Sequence, residues 1–385
     1  MTPKITPLRI ALAGFTTLVF SMGIGRFAFT PLLPVMRTEG LLTIADGGVI
    51  ASVHFVGYMM GALLAGRLAS SPAPTLFISL AAIGLTTVLM GLSNSYAIWL
   101  FARWLAGLCS ALVLVVISTH FVKHLTESGR PDLLGWVFAG VGGGTVIVGL
   151  ASLLIMVTDS PSWWGWRSFG VMTLAATVAI LFLVGGPTFF KTPGKSTVDE
   201  TKSPLDWRII LPYGAMGAGY IIPATYLPIM AQQTMSSPLV FGWSWPAFGL
   251  AASLSTLLAA WLHTFLSNRQ IWISSQLIMA VGLFLPAVWP HILSVVIGGI
   301  CVGGTFVVIT MAGIKEAHRI GGLRAQHHVA AMTSSFAFGQ IIGPLTAGWM
   351  YHATNSFTYP LMLGSVVLVA TLAPMLRRTA GSRQV

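Results

Sequence analysis

The chain of 385 residues is 55% hydrophobic and only 8% charged, with a mean hydropathy of +0.84. Because soluble domains carry about 25% charged residues, this composition excludes an ordinary soluble protein and indicates a membrane protein. The net charge of +11 could suit a nucleic-acid binder, but the placement of the basic residues argues against nucleic acid as a partner.

Apolar runs long enough to cross a bilayer as helix, which takes about 20 residues, recur along the whole chain. Twelve spans are predicted, at residues 10–36, 45–69, 74–93, 96–121, 132–157, 165–187, 207–231, 244–266, 271–288, 291–312, 328–350 and 357–376. The predicted fold is an all-α membrane protein with twelve transmembrane helices. The first span is long, is rich in proline at its far end and has no small-residue cleavage site after it, so we expect it to remain in the mature protein.

The basic residues are distributed unequally between the two faces of the membrane. With a cytoplasmic N-terminus, only Arg37 and Arg167 fall outside, while Arg26 and Arg103 fall within spans. The other sixteen fall inside, namely Lys4, Arg9, Arg67, Lys123, Arg130, Lys191, Lys195, Lys202, Arg208, Arg269, Lys315, Arg319, Arg324, Arg377, Arg378 and Arg383. This bias follows the positive-inside rule. It predicts cytoplasmic N- and C-termini and contact with anionic membrane lipids.

The second half of the chain repeats the first. AMGAGYIIPATYLPIM (215–230) aligns with SMGIGRFAFTPLLPVM (21–36) at an offset of 194, and GICVGGTFVVIT (299–310) aligns with GLCSALVLVVIS (107–118) at an offset of 192. Residues 1–188 and 207–385 are therefore predicted to form two parallel six-helix bundles, joined by a cytoplasmic linker at 189–206. Such bundles enclose a midplane cavity that rocking opens to each side in turn.

Several motifs resemble the major facilitator superfamily (MFS) of transporters. RWLAGLCSA (103–111) is similar to the superfamily's fourth-helix pattern RxxxGxxxA, and GWRSFG (165–170) resembles its common start of helix 6. GRFAFTPLLPVM (25–36), GVGGGTVIVG (140–149) and MTSSFAFGQIIGPLTAG (332–348) together resemble the YbfB/YjiJ branch. The resemblance covers essentially the whole chain and implies a transporter in a bacterial-type inner membrane.

One motif departs from the superfamily. The loop after helix 2 usually reads GxLaDRxGRR and supplies a charge relay, whereas ALLAGRLASS (62–71) keeps Arg67 but has Gly66 at the position of the aspartate. Two roles for Arg67 therefore remain open. Arg67 either takes part in gating, or it caps helix ends or binds lipid phosphate.

The predicted spans contain no deep carboxylate. All nine acidic residues fall in loops or at helix ends, namely Glu39, Asp46, Glu127, Asp132, Asp159, Asp199, Glu200, Asp206 and Glu316. Exporters of cationic drugs commonly use a membrane-embedded carboxylate to bind both the cation and the proton. Cation efflux by that scheme is therefore disfavoured.

Two arginines are predicted to lie deep in the N-terminal bundle. Arg26 lies roughly 15 Å and Arg103 roughly 10 Å from the outer helix ends, at 1.5 Å per residue. A charge at such depth is costly and faces a protein interior or a watery cavity. We expect both to bind an anionic substrate group through their planar donor forks. The alternatives are coupling or helix packing for Arg103, and coupling or pairing with Asp46 or Glu39 for Arg26.

His54 lies in the same layer, roughly 13 Å deep by the same rise. Its unperturbed pKa places it among groups that titrate between pH 5 and 8, so His54 is a candidate proton carrier, together with Asp46 at the start of the second span. The alternative is a polar packing role for His54.

Further candidates are polar, aromatic or conformationally special residues near the expected cavity. The predicted substrate contacts are Tyr58, Trp104, Tyr220, Tyr226, Phe336 and Gln340; packing alone would also explain each of them. Tyr220 is the repeat counterpart of Arg26, so the cavity is expected to be asymmetric. Gly143 and Pro344 are candidate hinges, since Pro344 breaks helix 11 and the glycines around Gly143 allow close packing.

The predicted function is secondary active transport of a small organic solute by alternating access. Transport is expected to be coupled to an ion, with the proton as the candidate, and to prefer an anionic or amphipathic metabolite. The alternatives are a broad drug exporter and a transporter-like receptor. We predict no enzyme activity, because no catalytic motif such as HExxH or a phosphate loop occurs. No cofactor or metal is expected, since Cys109 and Cys301 have no ligand spacing. A monomer is expected.

Overall fold

A computed structural model describes residues 6–68, 71–190, 205–262, 265–321 and 325–376. Within these ranges the chain is helical and forms no strand. The first six long helical segments are α1 (Pro7–Thr38), α2 (Ile44–Leu68), α3 (Pro72–Met90), α4 (Tyr96–Glu127), α5 (Pro131–Val157) and α6 (Ser162–Leu183). A short helical turn, Pro187–Phe190, follows.

The C-terminal part contributes six further long segments. They are α7 (Trp207–Thr234), α8 (Ser244–Leu262), α9 (Asn268–Val288), α10 (Ile292–Gly321), α11 (Ala325–Thr354) and α12 (Thr358–Leu376), with a short turn at Pro238–Phe241 before α8. We call α1–α6 the N-terminal half and α7–α12 the C-terminal half. The predicted division at residues 188 and 206 stays a prediction, since residues 191–204 of the linker lie outside the described ranges.

Nine of these segments are long and apolar enough to cross a membrane, judged over the described ranges. The other three are α7, α8 and α11, and proline, glycine and tyrosine dilute the apolar run of α7. An all-helical chain with many apolar spans is therefore confirmed. The count of twelve transmembrane helices stays a prediction, as does the placement of the termini, whose last residues lie outside the described ranges.

Helix α1 is irregular where it approaches the candidate site. Residues Val19–Ile24 form a π-helical turn, and the chain bends at Ala28. Pro31 contributes to the bend, because it has no N–H to donate to the carbonyl of Phe27. The sequence Gly25–Arg26–Phe27 lies between these two irregularities, where backbone carbonyls need partners from outside the helix.

Close helix packing inside the N-terminal half depends on glycine. A side chain at Gly57 would meet the carbonyl of Trp104, and one at Gly107 would meet the carbonyl of His54, so α2 and α4 pack backbone to backbone. Gly144 of α5 approaches α1 in the same way. Small residues at such positions let membrane helices gain packing contacts without a hydrophobic driving force.

The two halves meet along three helix pairs, α1 with α7, α2 with α11, and α5 with α8. Four hydroxyls of the described residues donate across this interface to backbone carbonyls: Thr30 to Ala224 (2.6 Å), Ser52 to Ile341 (2.8 Å), Ser253 to Ala139 (3.1 Å) and Thr256 to Gly135 (3.5 Å). Each donor replaces a solvent hydrogen bond with an interior one. These directional bonds fix how the paired helices are positioned against each other, in addition to the apolar packing.

Candidate functional site

Arg26 is buried at the interface between the two halves. Its side chain is on α1, only 9% of the residue is exposed, and its guanidinium donates to the hydroxyl of Tyr220 on α7. Arg26 makes no ion pair with any described residue. The arginine therefore sits between the halves with its charge balanced by no carboxylate of the described chain.

Aromatic rings surround this guanidinium. Its central carbon lies 4.9 Å from the ring centre of Phe55, 5.2 Å from that of Phe27 and 5.3 Å from that of Tyr58. Rings at such distances stabilise a cation through their negative faces, by roughly 2 kcal/mol when desolvated. The rings explain how a buried positive charge is tolerated while its donors stay available.

Tyr220 presents the opposite wall of the site. Its ring lies between those of Phe306 and Phe336, with centroids 5.1 Å and 5.6 Å away and planes within 5° of parallel. Its hydroxyl accepts from Arg26 and also from the side-chain amide of Gln340. The stack holds the hydroxyl in place, so the α7 and α11 contribution to the site is preorganised.

Arg103 on α4 contacts the backbone of α1. It donates to the backbone carbonyls of Gly25 and Arg26, both at 2.8 Å. These carbonyls lie between the π-helical turn and the bend of α1, so the guanidinium fork supplies bonds there that a regular helix would not need. Arg103 thus bonds the backbone of Arg26, and its expected role in substrate binding, like the alternatives of coupling and helix packing, stays a prediction.

His54 is fully buried and extends the same network into α2. Its Nδ1 donates to the carbonyl of Arg103 at 3.2 Å, since a carbonyl can only accept. The Nε2 atom has no protein partner. Hydrogen bonds thus connect His54 to Arg103, and Arg103 to the backbone of Arg26. The side chain of Arg26 continues the chain to the Tyr220 hydroxyl, which also accepts from Gln340.

Four buried polar atoms along this chain have no protein partner. They are Arg26 Nε, Arg103 Nε, His54 Nε2 and Gln340 Oε1. Buried polar groups are nearly always satisfied by protein, water or ligand. Either orientation of the Gln340 amide leaves one of its atoms unpartnered. The region therefore contains hydrogen-bond donors and acceptors that no described protein group satisfies.

The two acidic residues considered as partners of Arg26 lie elsewhere. Asp46 accepts from the backbone N–H (2.9 Å) and hydroxyl (2.6 Å) of Thr43, which caps α2. Glu39 accepts from the backbone N–H (2.6 Å) and hydroxyl of Ser162 at the start of α6. Neither pairs with Arg26 in this structure, and the coupling role of Asp46 stays a prediction.

Two charged residues on the predicted cytoplasmic side pair with each other. Arg130 and Asp132 form an exposed fork between α4 and α5, with N–O distances of 2.8–3.2 Å. These hydrogen bonds hold the pKa of the Asp132 carboxyl below its usual value.

Tyr226 and Pro344 lie together away from the Arg26 network. The Tyr226 hydroxyl donates to the carbonyl of Pro344 at 3.0 Å, and Gly48 of α2 packs against both groups. This contact joins α2, α7 and α11 in their predicted outer halves. The candidate hinge Pro344 thus lies at a packed contact between the halves, and its hinge role stays a prediction.

Three predicted residues are not brought to Arg26. Trp104 is half-buried and donates to the sulfur of Met60 at 3.4 Å, and Met60 is itself exposed. A Cβ at Gly143 would touch only side chains, at 3.3 Å or more, whereas Gly142 and Gly144 make the close backbone approaches. The side chain of Arg67 lies outside the described residues. Their roles stay predictions.

Three ring residues of the site were not identified from the sequence. Phe27 and Phe55 adjoin the predicted residues Arg26 and His54, and Phe306 lies in the repeated segment 299–310. Helical spacing could have placed Phe55 on one face with Tyr58. Nothing in the local sequence distinguishes Phe306 from a packing residue.

Comparisons with known proteins give one consistent family. The family described as "Uncharacterised MFS-type transporter YbfB" matches residues 18–376. An "Uncharacterized MFS-type transporter" of Yersinia pestis (strain Pestoides F) is 23% identical, and the alignment covers 94% of each chain. The "Inner membrane transport protein YdhP" of Escherichia coli K12 is 24% identical over 90% of each.

Solved structures with the same fold include the nucleoside transporter NupG. It aligns with a TM-score of 0.70 and 13% identity, covering 97% of this chain and 99% of that chain. A point mutant of NupG aligns with a TM-score of 0.74 and 15% identity, covering 96% and 99%. At such low identity the likeness shows a shared fold and nothing about the solute carried.

Proposed function

The chain belongs to the YbfB family of MFS-type transporters, and from that membership we propose that it is a secondary active transporter of small organic solutes that works by alternating access. Membership makes it a multi-pass transporter of the bacterial-type inner membrane. The finer features proposed are twelve transmembrane helices with cytoplasmic termini, a site at the interface of the halves, and coupling to an ion.

The preferred substrate is an anionic or amphipathic metabolite. The observation that carries this proposal is Arg26, a buried guanidinium that has no ion pair among the described residues and bonds only a neutral hydroxyl across the interface. A carboxylate is a far stronger acceptor for such a fork than a phenol. Phe55, Phe27 and Tyr58 would contact an apolar substrate body.

Substrate binding would compete with Tyr220. The Tyr220 hydroxyl accepts from one terminal nitrogen of Arg26, and this bond ties α1 to α7. A substrate anion that replaces the Tyr220 hydroxyl at Arg26 would break the bond between α1 and α7. The anion would therefore bind with different affinity to the outward-open and inward-open arrangements of the halves. Such a difference is what a ligand needs to shift a conformational equilibrium.

Coupling is proposed to pass through His54. His54 is connected to Arg26 through Arg103, and its Nε2 has no protein partner. Among the described residues of this network it is the only side chain whose ordinary range of titration is near neutral pH. Substrate binding at Arg26 would change the proton affinity of His54, and protonation of His54 would change the substrate affinity of the arginine site.

A second candidate function is the export of a broad range of aromatic drugs. Its specific support is the run of near-parallel rings in the C-terminal half, in which Trp245, Phe248, Phe306, Tyr220 and Phe336 follow one another at 4.8–5.8 Å. Aromatic side chains offer large apolar faces on which flat ligands can stack. Such a pump would bind its substrates without needing Arg26.

The test is a thermal-shift screen of the purified full chain against organic anions, cations and neutral metabolites, compared with Arg26→Gln. Binding to the native state raises the midpoint. We expect anions to stabilise the native protein and to lose that effect in Arg26→Gln. Arg208→Gln, which removes an exposed charge at the start of α7, should respond like the native protein. Stabilisation by cations alone, or by anions equally in both variants, would overturn the substrate proposal.

A further inference from the structure

A second charged site lies where α9 begins and α10 ends. There a cavity of about 540 Å³ is lined by Arg269 from the start of α9 and by Lys315, Glu316 and Arg319 from the last turns of α10. This basic pocket shares no residue with the Arg26 site. Under the predicted topology it opens at the cytoplasmic surface of the membrane.

The pocket has an excess of positive charge. Glu316 is buried, and both of its carboxylate oxygens accept from the exposed Arg319, at 2.7 Å and 2.8 Å. Lys315 makes no ion pair with any described residue. Three basic side chains and one carboxylate line the pocket, a formal excess of two positive charges among the lining residues. Concave surfaces lined by one sign of charge concentrate ions of the other sign.

Two neighbouring features favour a phosphate group with an apolar tail. Ser267 caps α9 through a reciprocal bond with Gln270, so the positive end of that helix dipole points into the pocket region. Leu266, also in the lining, is 37% exposed. The pocket thus joins cationic donors to an apolar side chain at the depth where helices end.

We propose that the basic pocket binds a phosphate group at the cytoplasmic membrane surface. The group is supplied either by the headgroup of an anionic phospholipid or by a soluble phosphate ester. Basic side chains near an anionic membrane surface each strengthen such binding about fivefold. The ligand would bridge α9 and α10 and so favour the arrangement of the C-terminal half in which these ends are close.

The test is titration of a short-chain phosphatidylglycerol into the detergent-solubilised full chain, with short-chain phosphatidylcholine as the zwitterionic reference. The readout is the concentration that gives half of the maximal thermal stabilisation. We expect phosphatidylglycerol alone to stabilise, and the double variant Arg269→Gln/Lys315→Gln to need about 25-fold more of it, at about fivefold per charge. Lys123→Gln/Arg208→Gln removes the same charge elsewhere and should bind as the native protein does.

A second arm adds inorganic phosphate and distinguishes the sources. Competition by millimolar phosphate assigns the pocket to soluble phosphate groups, and its absence assigns the pocket to lipid; both results support a phosphate site. Equal loss of stabilisation in the two double variants would overturn the proposal, because net charge alone would then explain binding. The double variant Arg269→Lys/Lys315→Arg keeps both charges and should retain binding. Retained binding would show that the loss in Arg269→Gln/Lys315→Gln is not caused by misfolding.

Discussion

Arg26 and Tyr220 are equivalent residues of the two halves, and they bond directly to each other. Their numbers differ by the repeat offset of 194, as do those of Thr30 and Ala224, which are joined by a second bond. Equivalent residues can touch only beside the axis that relates the repeats. The candidate site therefore lies beside the predicted pseudo-twofold axis of the two repeats, with a cation on one side and a phenol on the other.

Replacing Tyr220 with Phe should tighten the binding of substrate anions. The variant keeps the stacked ring but removes the hydroxyl that occupies Arg26, so the substrate no longer has to break a hydrogen bond of about 1 kcal/mol. We expect about fivefold tighter binding, measured by titration calorimetry with an anion found in the screen, and a lower thermal midpoint without ligand.

Tyr226→Phe is the matched control for that change. Its hydroxyl bonds the Pro344 carbonyl and not Arg26, so its removal should lower stability without altering anion affinity. Weaker anion binding in Tyr220→Phe would show that the hydroxyl contacts the substrate and does not compete with it.

Replacing Arg103 with Gln should destabilise the fold. Two charge-assisted bonds to the carbonyls of Gly25 and Arg26 are lost in a buried place, at a cost of about 2 kcal/mol. Denaturation in mixed micelles measures the loss, and Arg208→Gln should show none. Arg103→Lys should recover only part, because an ammonium cannot form the fork. Native stability combined with lost anion binding in Arg103→Gln would place Arg103 in the substrate site.

Adjacent glycines of α5 should differ sharply in their tolerance of a methyl group. A Cβ at Gly142 would lie 2.5 Å from the Gly249 carbonyl oxygen and the Ser253 nitrogen of α8, whereas one at Gly143 would meet its nearest atom, in Phe15, at 3.3 Å. Gly142→Ala should cost about 2 kcal/mol through overpacking of the interface, and Gly143→Ala much less. Thermal midpoints and uptake rates check this; equal effects would argue against close packing of α5 on α8.

Replacing His54 with Gln should remove the pH dependence of transport. Glutamine can still donate to the Arg103 carbonyl, so the packing should survive while the titratable group is lost. Uptake into proteoliposomes, measured between pH 5.5 and 8 without a membrane potential, provides the readout. A variant that kept the native pH profile would exclude His54 as the proton carrier.

The helical fold followed from simple features of the sequence. Apolar runs give the spans because every backbone group must be satisfied in lipid, and the offset repeat relates the two halves. Irregularities were harder to foresee. The π-helical turn before Gly25 has no local signature in VFSMGI. Its backbone is bonded from another helix, since the Ser110 hydroxyl of α4 donates to the Ser21 carbonyl at 3.1 Å.

The site was predictable in its charged members and less so in its partners. Charge is rare enough in this chain that Arg26, Arg103 and His54 stand out, whereas the rings around Arg26 are ordinary in composition for a membrane bundle. Which face Trp104 presents depends on how α2 and α4 rotate against each other. That rotation is set by glycine contacts between backbones, which periodicity alone does not specify.

The π-helical turn at Val19–Ile24 marks the place where α1 could lose a residue without turning Arg26 away from Tyr220. Such a turn contains one residue more than an α-helical turn would, so the wide turn absorbs a residue that would otherwise rotate the following side chains by about 100°. Deleting a single residue from VFSMGI would restore a regular spiral and leave Arg26 on about the same face of α1. In descendants of this gene, a three-nucleotide deletion in the regular helix Pro7–Leu18 would instead rotate the two ends of α1 against each other.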